Sequence, residues 1–216
     1  MSNPKVSVLT PVFNTHTDHL RQCIDSILNQ TFTDFEFIIL NDSPDNIELE
    51  QLILSYTDKR IKYHKNDKNI GISESRNKLL SLACGEYIAI FDHDDISVPD
   101  RLSCQVEYMD KHPEIGVVGG WLQNFESNEG IFITPEKNEQ IKIALTEDCF
   151  IAHTSSMIRK SVLDKNKIKY EGNKVEVKRK FQGSRLAPKI SIKKRSASRN
   201  TSKQNIYKEI DDATND

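Results

Sequence analysis

The chain has 216 residues, and its 30 lysine and arginine residues nearly balance its 32 aspartate and glutamate residues, for a formal net charge of −2. A chain of this length fits one domain with an appendage, and its core can bury most of its apolar surface without disulfides or a structural metal. The near-neutral total points to no particular partner, but it conceals a segregation of charge sign along the chain.

The chain carries no visible targeting or membrane segment. Residues 1–4 lead directly into an apolar run, without the charged region and long apolar region of a signal peptide. No apolar run approaches the roughly 20 residues of a membrane-spanning helix. None of the four cysteines belongs to a C-x-x-C pair, which indicates small buried thiols in a reducing compartment. We therefore expect a cytoplasmic protein that contacts a membrane only peripherally, at its inner face.

Apolar runs alternate with amphipathic segments along the first 118 residues. Strands are predicted where the apolar runs occur, at residues 6–9, 35–40, 61–64, 87–91 and 116–118. Helices are predicted between them, at 18–28, 48–56 and 100–110, with a further one that begins near an N-cap at Ser73 and ends before Gly85. This alternation predicts a doubly wound, mostly parallel α/β sheet flanked by helices. Such sheets bind ligands beyond the carboxyl ends of their strands, so the polar residues there form the candidate site.

Lysine, arginine and serine dominate the chain after residue 171. Basic clusters at 178–180 and 193–195 interrupt a segment with little apolar periodicity. We predict a domain at residues 1–171 and a weakly ordered basic tail at residues 172–216. The tail suggests association with nucleic acid or with an anionic membrane. Its only aromatic residues are Phe181 and Tyr207, so nucleic acid is the least favoured partner.

Three carboxylates, those of Asp92, Asp94 and Asp95, follow the strand predicted at 87–91. One interpretation is structural, with acids that cap the loop and the next helix, for which Asp100 is the expected N-cap. Capping uses one carboxylate, however, and clustered carboxylates at the edge of a sheet raise one another's pKa values. A divalent cation relieves that repulsion, and oxygen ligands favour Mg²⁺ or Mn²⁺ shared with substrate phosphates. The local chemistry therefore favours a metal–diphosphate site over simple capping.

Two more polar segments lie where a ligand of such a sheet would bind. The turn NDSPDN at residues 41–46 offers side chains that can bind a base or a ribose, although an ordinary asparagine- and aspartate-rich turn explains it as well. Arg76 lies near the start of a predicted helix and fits either phosphate or base recognition or a solvated surface position. Both interpretations stay open for both segments.

Taken together, these segments resemble the inverting glycosyltransferases of family 2, which have the GT-A fold. The matching stretches are VSVLTPVFN at 6–14, SILNQTF at 26–32, FEFIILNDS at 35–43, NIG at 69–71, SRN at 75–77, GEY at 85–87 and DHDD at 92–95. The resemblance covers about residues 4–170, which correspond to the donor-binding half of such enzymes and the start of the acceptor-binding half.

The resemblance implies roles for individual residues of this chain. Nucleotide-binding roles fall on Pro11, Phe13, Asn14, Asp42, Arg76 and Asp92. Asp42 is implied to contact the base, and Asp94 and Asp95 are implied to bind a divalent cation, Mg²⁺ or Mn²⁺. His153 matches a position beside the acceptor pocket, and Trp121 is a candidate for stacking on a sugar. A hydrogen-bonded structural histidine and a core tryptophan are the competing interpretations of those two residues.

The implied reaction moves a sugar from a nucleoside diphosphate donor, with a UDP-sugar favoured, to a hydroxyl of a glycan or glycolipid acceptor, with inversion. It requires a carboxylate general base, which the family carries roughly twenty residues beyond the His153 region. Residues 173–180 hold no such motif, and the nearby acids Glu171 and Glu176 stand in no recognisable pattern. The general base is therefore unassigned, and a truncated or frame-disrupted relative is indicated. The alternative function is a catalytically silent remnant that binds nucleotide sugar.

Overall fold

A computed structural model describes residues 3–124, 131–135, 140–141 and 151–170, and the backbone of residues 191–194. The strands are β1 (Val6–Val12), β2 (Phe35–Asn41), β3 (Ile61–Lys65), β4 (Tyr87–Ile90), β5 (Ile96–Ser97), β6 (Val117–Val118), β7 (Trp121–Asn124), β8 (Ile131–Phe132), β9 (Met157–Arg159) and β10 (Ser191–Lys194). The helices are α1 (Thr17–Leu28), α2 (Ile47–Leu54), α3 (Ile72–Leu82), α4 (Arg101–Lys111) and α5 (Lys160–Asn166), with a 3₁₀ turn at His153–Ser155.

The main sheet has six strands in the order β3-β2-β1-β4-β9-β6. Strands β1 to β4 are parallel, and β9 runs antiparallel to both β4 and β6. The prediction of a doubly wound, mostly parallel α/β sheet is therefore confirmed. The strand order reverses between β1 and β4, which is where ligands bind in open sheets of this kind. Because β9 is antiparallel, the residues that precede it lie at the carboxyl end of β4, where Ile90 N donates to Ser156 O at 3.0 Å.

Helices cover both faces of the main sheet, which explains why its strands β2 and β4 are apolar almost without alternation. On one face, Val8 and Phe37 pack with α1, α2 and α4 in a core of buried residues. On the other face, Leu9 and Ile38 pack with α3 and α5, which contribute Leu79 and Leu163 among others. Successive residues of β1 and β2 thus enter opposite cores, as the two-residue period of a strand requires.

Gly85 lies where the entry to β4 passes directly against β1. A Cβ atom at this position would stand 2.5 Å from Ser7 N and 2.7 Å from Val6 C, both backbone atoms of the central strand. The contact is completed by the Gly85 amide, which donates to Ser7 Oγ at 2.8 Å, and by Ser7 Oγ, which donates to Glu36 Oε1 at 2.6 Å. Glycine is therefore required here because a side chain would clash with β1. Its position after the end of α3 is a less important reason.

Several predicted element ends differ from the structure. Helix α3 begins at Ile72, with Gly71 at the N-cap position, so Ser73 lies inside the helix instead of capping it. Gly71 has φ of +85°, a backbone conformation that glycine adopts without strain. Asp100 does occupy the N-cap position of α4, but its side chain makes no capping hydrogen bond. Of the described cysteines, Cys23 is buried whereas Cys84 is exposed, so the prediction of uniformly buried thiols was wrong for Cys84.

A second, four-stranded sheet has the order β5-β10-β7-β8. Its strand β10 belongs to the segment predicted as a weakly ordered tail, and the other residues of that segment lie outside the described ones. Within the described ranges, no helix is both long and apolar enough to cross a membrane.

Candidate functional site

The loops after β1, β2 and β4 meet at the carboxyl edge of the main sheet. Thr10 Oγ1 donates to Phe91 O at 2.9 Å, and His93 Nδ1 lies 3.1 Å from Pro11 O, so the end of β1 is joined to the loop after β4. Asn14 has φ of +43°, and its amide donates to Ser43 Oγ at 2.8 Å, which joins the loop after β1 to the loop after β2. Three segments that are distant in sequence therefore form one surface, as the positions of their motifs predicted.

Phe13 lies in the loop after β1 and is 48% exposed, which makes it one of the large apolar side chains that face solvent in the described structure. Its neighbour Pro11 is buried. Phe13 therefore presents an apolar face to solvent beside the residues predicted to contact the nucleotide.

Asp42 is buried and its carboxylate is occupied by protein groups. Its Oδ1 accepts from Asn66 Nδ2 at 2.8 Å and from the Ile70 amide at 2.9 Å, and its Oδ2 accepts from the Gly71 amide at 3.0 Å. These bonds hold the segment 66–71, which leads into α3, against the end of β2. The implied contact between Asp42 and a base stays a prediction, but Asp42 has a structural task that the sequence did not indicate.

Arg76 and Asp92 form an ion pair at the point where strand order reverses. Arg76 Nη2 donates to Asp92 Oδ1 at 3.0 Å, and the two side chains are 14% and 23% exposed. The guanidinium also lies over the ring of Tyr170, 5.6 Å from its centre. Arg76 is thus held in the candidate site, and its interpretation as a solvated surface residue was wrong.

Asp95 differs from its neighbours because it is completely buried. Its Oδ2 accepts from Thr154 Oγ1 at 2.5 Å, and the same hydroxyl accepts from the Asp92 amide at 3.0 Å. Thr154 belongs to the 3₁₀ turn before β9, so one hydroxyl joins residues 92–95, which we call the acidic loop, to that turn. Sequence reasoning missed Thr154, although it lies in the same stretch, IAHTSSM, that drew attention to His153.

Arg101 is a fully buried cation beneath the acidic loop. Its Nη2 donates to Ile90 O at 2.9 Å and to Ser156 O at 3.3 Å, and its Nε donates to Gln105 Oε1 at 3.1 Å. Burial lowers the pKa of Arg101 to about 10, while the nearby charges of Asp95 and Asp92 act in the opposite direction. The buried charge of Asp95 therefore has a counter-charge within the protein, which the sequence gave no reason to place there.

Asp94 is partly exposed, and within the described part of the chain its carboxylate accepts no hydrogen bond. Among the described residues, no group of three or more histidine, cysteine, aspartate and glutamate side chains is arranged to hold a metal ion. Asp94 nevertheless fits a hexacoordinate cation that takes one or two carboxylates and completes its shell with phosphate oxygens and water. Asp95 fits less well, because burial and the bond to Thr154 turn it toward the protein.

His153 lies in the segment before β9, and Trp121 is the first residue of β7 in the second sheet. His153 Nε2 lies 2.9 Å from Tyr170 Oη, and the rings meet edge to face with centres 5.6 Å apart. Trp121 is partly buried in β7, and its buried Nε1 has no hydrogen-bond partner among the described residues. Its neighbour Gly120 exchanges two hydrogen bonds of 2.9 Å with Ser155 Oγ, which places the start of β7 beside the 3₁₀ turn.

An open cleft of 450 Å³ lies at the opposite, amino-terminal edge of the main sheet. Most of its charged residues form ion pairs, as Lys5 does with Glu86 at 2.8 Å and Lys160 with Asp164 at 2.8 Å. The cleft contains none of the residues predicted to bind nucleotide, metal or acceptor, so the candidate site stays at the carboxyl edge.

Comparisons with known proteins bear on the family and the fold of the chain. The family model described as Glycosyl transferase family 2 matches residues 7–166. An uncharacterized glycosyltransferase of Methanocaldococcus jannaschii is 38% identical over 177 residues, which cover 79% of this chain and 60% of the relative. The Escherichia coli UDP-Glc:alpha-D-GlcNAc-diphosphoundecaprenol beta-1,3-glucosyltransferase WfgD is 30% identical over 167 residues, which cover 76% of this chain and 64% of the relative.

Solved structures show the same fold. Residues 1–349 of Staphylococcus aureus TarS, in complex with UDP-GlcNAc, superpose with a TM-score of 0.73 at 19% sequence identity. The superposition covers 91% of this chain and 60% of that one. The chain thus spans less than two thirds of the length of the proteins that it resembles.

Proposed function

The chain belongs to glycosyltransferase family 2, and we propose that it binds a nucleoside diphosphate sugar, with UDP as the favoured nucleotide, and transfers the sugar to a hydroxyl with inversion. The observation that carries the proposal is the meeting of three segments at one edge of the sheet: the loop held by Asp42, the Arg76–Asp92 pair and Asp94. That edge is where open α/β sheets bind nucleotides.

The nucleotide is proposed to lie across the loops after β1 and β2. The exposed ring of Phe13 and the loop that follows Asp42 offer an apolar face next to polar backbone groups, which suits a base. Support for UDP comes from WfgD, whose name includes UDP-Glc, and from TarS, whose structure contains UDP-GlcNAc. Arg76 is proposed to be close to the diphosphate, where its charge offsets that of the phosphates.

A divalent cation, Mg²⁺ or Mn²⁺, is proposed to be held by Asp94. Such an ion supplies positive charge that stabilises the diphosphate as it leaves. The support is the partly exposed carboxylate of Asp94, which makes no bond to the described residues, beside an ion-paired Asp92. In this proposal Asp95 acts indirectly, because its bond to Thr154 fixes the shape of the acidic loop.

The acceptor is proposed to be a glycan or glycolipid, since WfgD is named for a lipid-linked acceptor. His153 and Trp121 are proposed to line that side of the site. The general base stays unassigned, because Glu171 and Glu176 lie outside the described residues. This keeps the second candidate function, donor binding without transfer, which is favoured by the lack of a recognisable general-base motif at residues 173–180.

Calorimetry with UDP, GDP and ADP, each with and without Mn²⁺, tests the donor side of the proposal. We expect UDP to bind in a Mn²⁺-dependent way, and Asp94→Asn to weaken that binding at least tenfold, or about 1.4 kcal/mol. Asp34→Asn is the matched control, because Asp34 is exposed beside the cleft at the opposite edge of the sheet. Equal UDP affinity with and without metal, or equal losses in both variants, would contradict the assignment.

A turnover assay separates the two candidate functions. Release of UDP from UDP-sugars is followed with and without a lipid-linked glycan acceptor. Acceptor-dependent release supports transfer. Metal-dependent UDP binding without any release supports the silent nucleotide-sugar-binding protein.

A further inference from the structure

Tyr170 connects the donor side of the candidate site to the acceptor side, although nothing in its sequence context singled it out. Its backbone is fixed by the side chain of Asn77, which accepts from the Tyr170 amide at 2.8 Å and donates to the Tyr170 carbonyl at 2.9 Å. Asn77 is the residue after Arg76 in α3. A two-point contact of this kind fixes both the position and the direction of the chain at residue 170.

The side chain of Tyr170 then meets two residues of the site. The Arg76 guanidinium lies over its ring, 5.6 Å from the ring centre, within the range of a cation–π contact. Its hydroxyl lies 2.9 Å from His153 Nε2. The Arg76 group that lies over the ring is the one that donates to Asp92, so a single aromatic side chain supports both the arginine of the ion pair and the histidine of the 3₁₀ turn.

We propose that Tyr170 is a positioning residue of the transfer site: its ring holds Arg76 toward the donor diphosphate, and its hydroxyl donates to His153 Nε2 and thereby keeps the imidazole proton on Nδ1. The part of this inference that concerns Arg76 and the diphosphate, which we call the donor half, rests on the proposed function. The part that concerns His153, which we call the histidine half, does not.

The direction of the hydrogen bond is inferred from the need of the hydroxyl proton for an acceptor: His153 Nε2 is the hydrogen-bond partner of Tyr170 Oη among the described residues, and a bond in which Nε2 donated would leave that proton without one. Burial raises the pKa of Tyr170 to about 12, with Arg76 acting in the opposite direction, so the hydroxyl keeps its proton at neutral pH. A protonated phenol that donates to Nε2 requires a lone pair on that nitrogen. In the proposed arrangement the neutral form of the ring carries its proton on Nδ1, and the hydrogen bond selects this tautomer.

Two substitutions separate the two contacts. Tyr170→Phe keeps the ring and removes the hydroxyl, whereas Tyr170→Leu removes the aromatic face as well. Tyr56→Phe is the matched control, because the Tyr56 hydroxyl also donates to one side chain, Asp25 Oδ1 at 2.8 Å, and neither residue belongs to the site.

The histidine half is tested by ¹⁵N NMR of the imidazole rings, with His153→Asn used to assign the resonances among the six histidines. We expect Nε2 of His153 to resonate as an unprotonated ring nitrogen at neutral pH. Tyr170→Phe should shift the His153 signals toward a tautomer mixture, and Tyr56→Phe should leave them in place. Unchanged His153 signals in Tyr170→Phe would overturn the hydroxyl's role, and a merely structural role for Tyr170 would move the melting temperature without this shift.

The donor half is tested by calorimetry with UDP and Mn²⁺. We expect Tyr170→Phe to bind UDP within about twofold of the unmodified chain and Tyr170→Leu to bind roughly fivefold more weakly. Equal affinities for these two variants would overturn the role of the ring. If Tyr170→Leu does not fold, an affinity loss of fivefold in Tyr170→Phe also overturns it. If the unmodified chain fails to bind UDP, the proposed function fails, and the NMR comparison still decides the role of the hydroxyl.

Discussion

Thr154→Val is the substitution that most directly tests how the acidic loop is held. Thr154 is 2% exposed, and its hydroxyl donates to the fully buried Asp95 carboxylate and accepts from the Asp92 amide. Valine has nearly the same volume, so the change removes two hydrogen bonds and creates no large cavity. A bond to a charged group contributes about 1.5–3 kcal/mol and a neutral bond about 0.5–1.5 kcal/mol. We therefore expect the free energy of unfolding to fall by about 2–4 kcal/mol.

Thr134→Val is the control for this experiment. Thr134 is 1% exposed, and its Oγ1 is buried without a hydrogen-bond partner among the described residues. The same chemical change should be neutral or stabilising there, because it removes an unsatisfied polar atom from the interior. Urea unfolding measures both variants, and thermal unfolding should show a loss of roughly 4–16 °C for Thr154→Val alone. If the two variants are equally stable, the bond to Asp95 does not hold the loop and our account of the site is wrong.

Two further substitutions test other parts of the fold. Gly85→Ala forces a Cβ atom to within 2.5 Å of the backbone of β1, so it should reduce the free energy of unfolding by about 1–3 kcal/mol in urea, and stability equal to the unmodified chain would refute the close contact. Asp58 has its pKa lowered by its hydrogen bonds to Arg60, which means that the pair stabilises the fold above the ordinary aspartate pKa of about 4 and loses this effect as the pH falls through the lowered value. Asp58→Asn should therefore be less stable than the unmodified chain at pH 7, by about 1 kcal/mol or less, and the difference should shrink in acid; a constant difference across the pH range would contradict the ion pair.

The main sheet could be predicted from the sequence because its strands β1, β2 and β4 are buried on both faces. The run FEFIIL is apolar at nearly every position, and a strand with one solvated face would have alternated. Residues that follow such strands must gather at one edge of a parallel sheet, so the proximity of the loops at Asn14 and Asp92 follows from topology. These inferences require only local sequence patterns and the rule that the carboxyl ends of parallel strands lie at one edge of a sheet.

The partners of the acidic residues could not be predicted in the same way. Arg101 lies near the start of α4, and its sequence position gives no sign that its side chain turns inward toward Ile90 O. Thr154 lies 59 residues from Asp95, and only the antiparallel pairing of β9 with β4 brings them together. In the sequence, Asp42 resembles a residue of an ordinary turn. Its contact with the segment that leads to Gly71 is visible only in the folded chain. In each case the contact is a tertiary one, between residues that are not neighbours in the sequence. The sequence around one polar residue does not identify such a partner.

The contacts of the acidic loop explain how adjacent carboxylates can coexist there. They also limit the affinity with which the loop can bind a cation. Asp92 is paired with Arg76, and Asp95 is bonded to Thr154 above the buried charge of Arg101, so the protein itself offsets two of the negative charges. In the proposed function Asp94 is the carboxylate left for a cation, and one carboxylate holds a hydrated divalent cation only weakly. Tight binding then needs the oxygens of a diphosphate as additional ligands. Cation and nucleotide should therefore raise each other's affinity by the same factor, because thermodynamic coupling between two ligands is reciprocal.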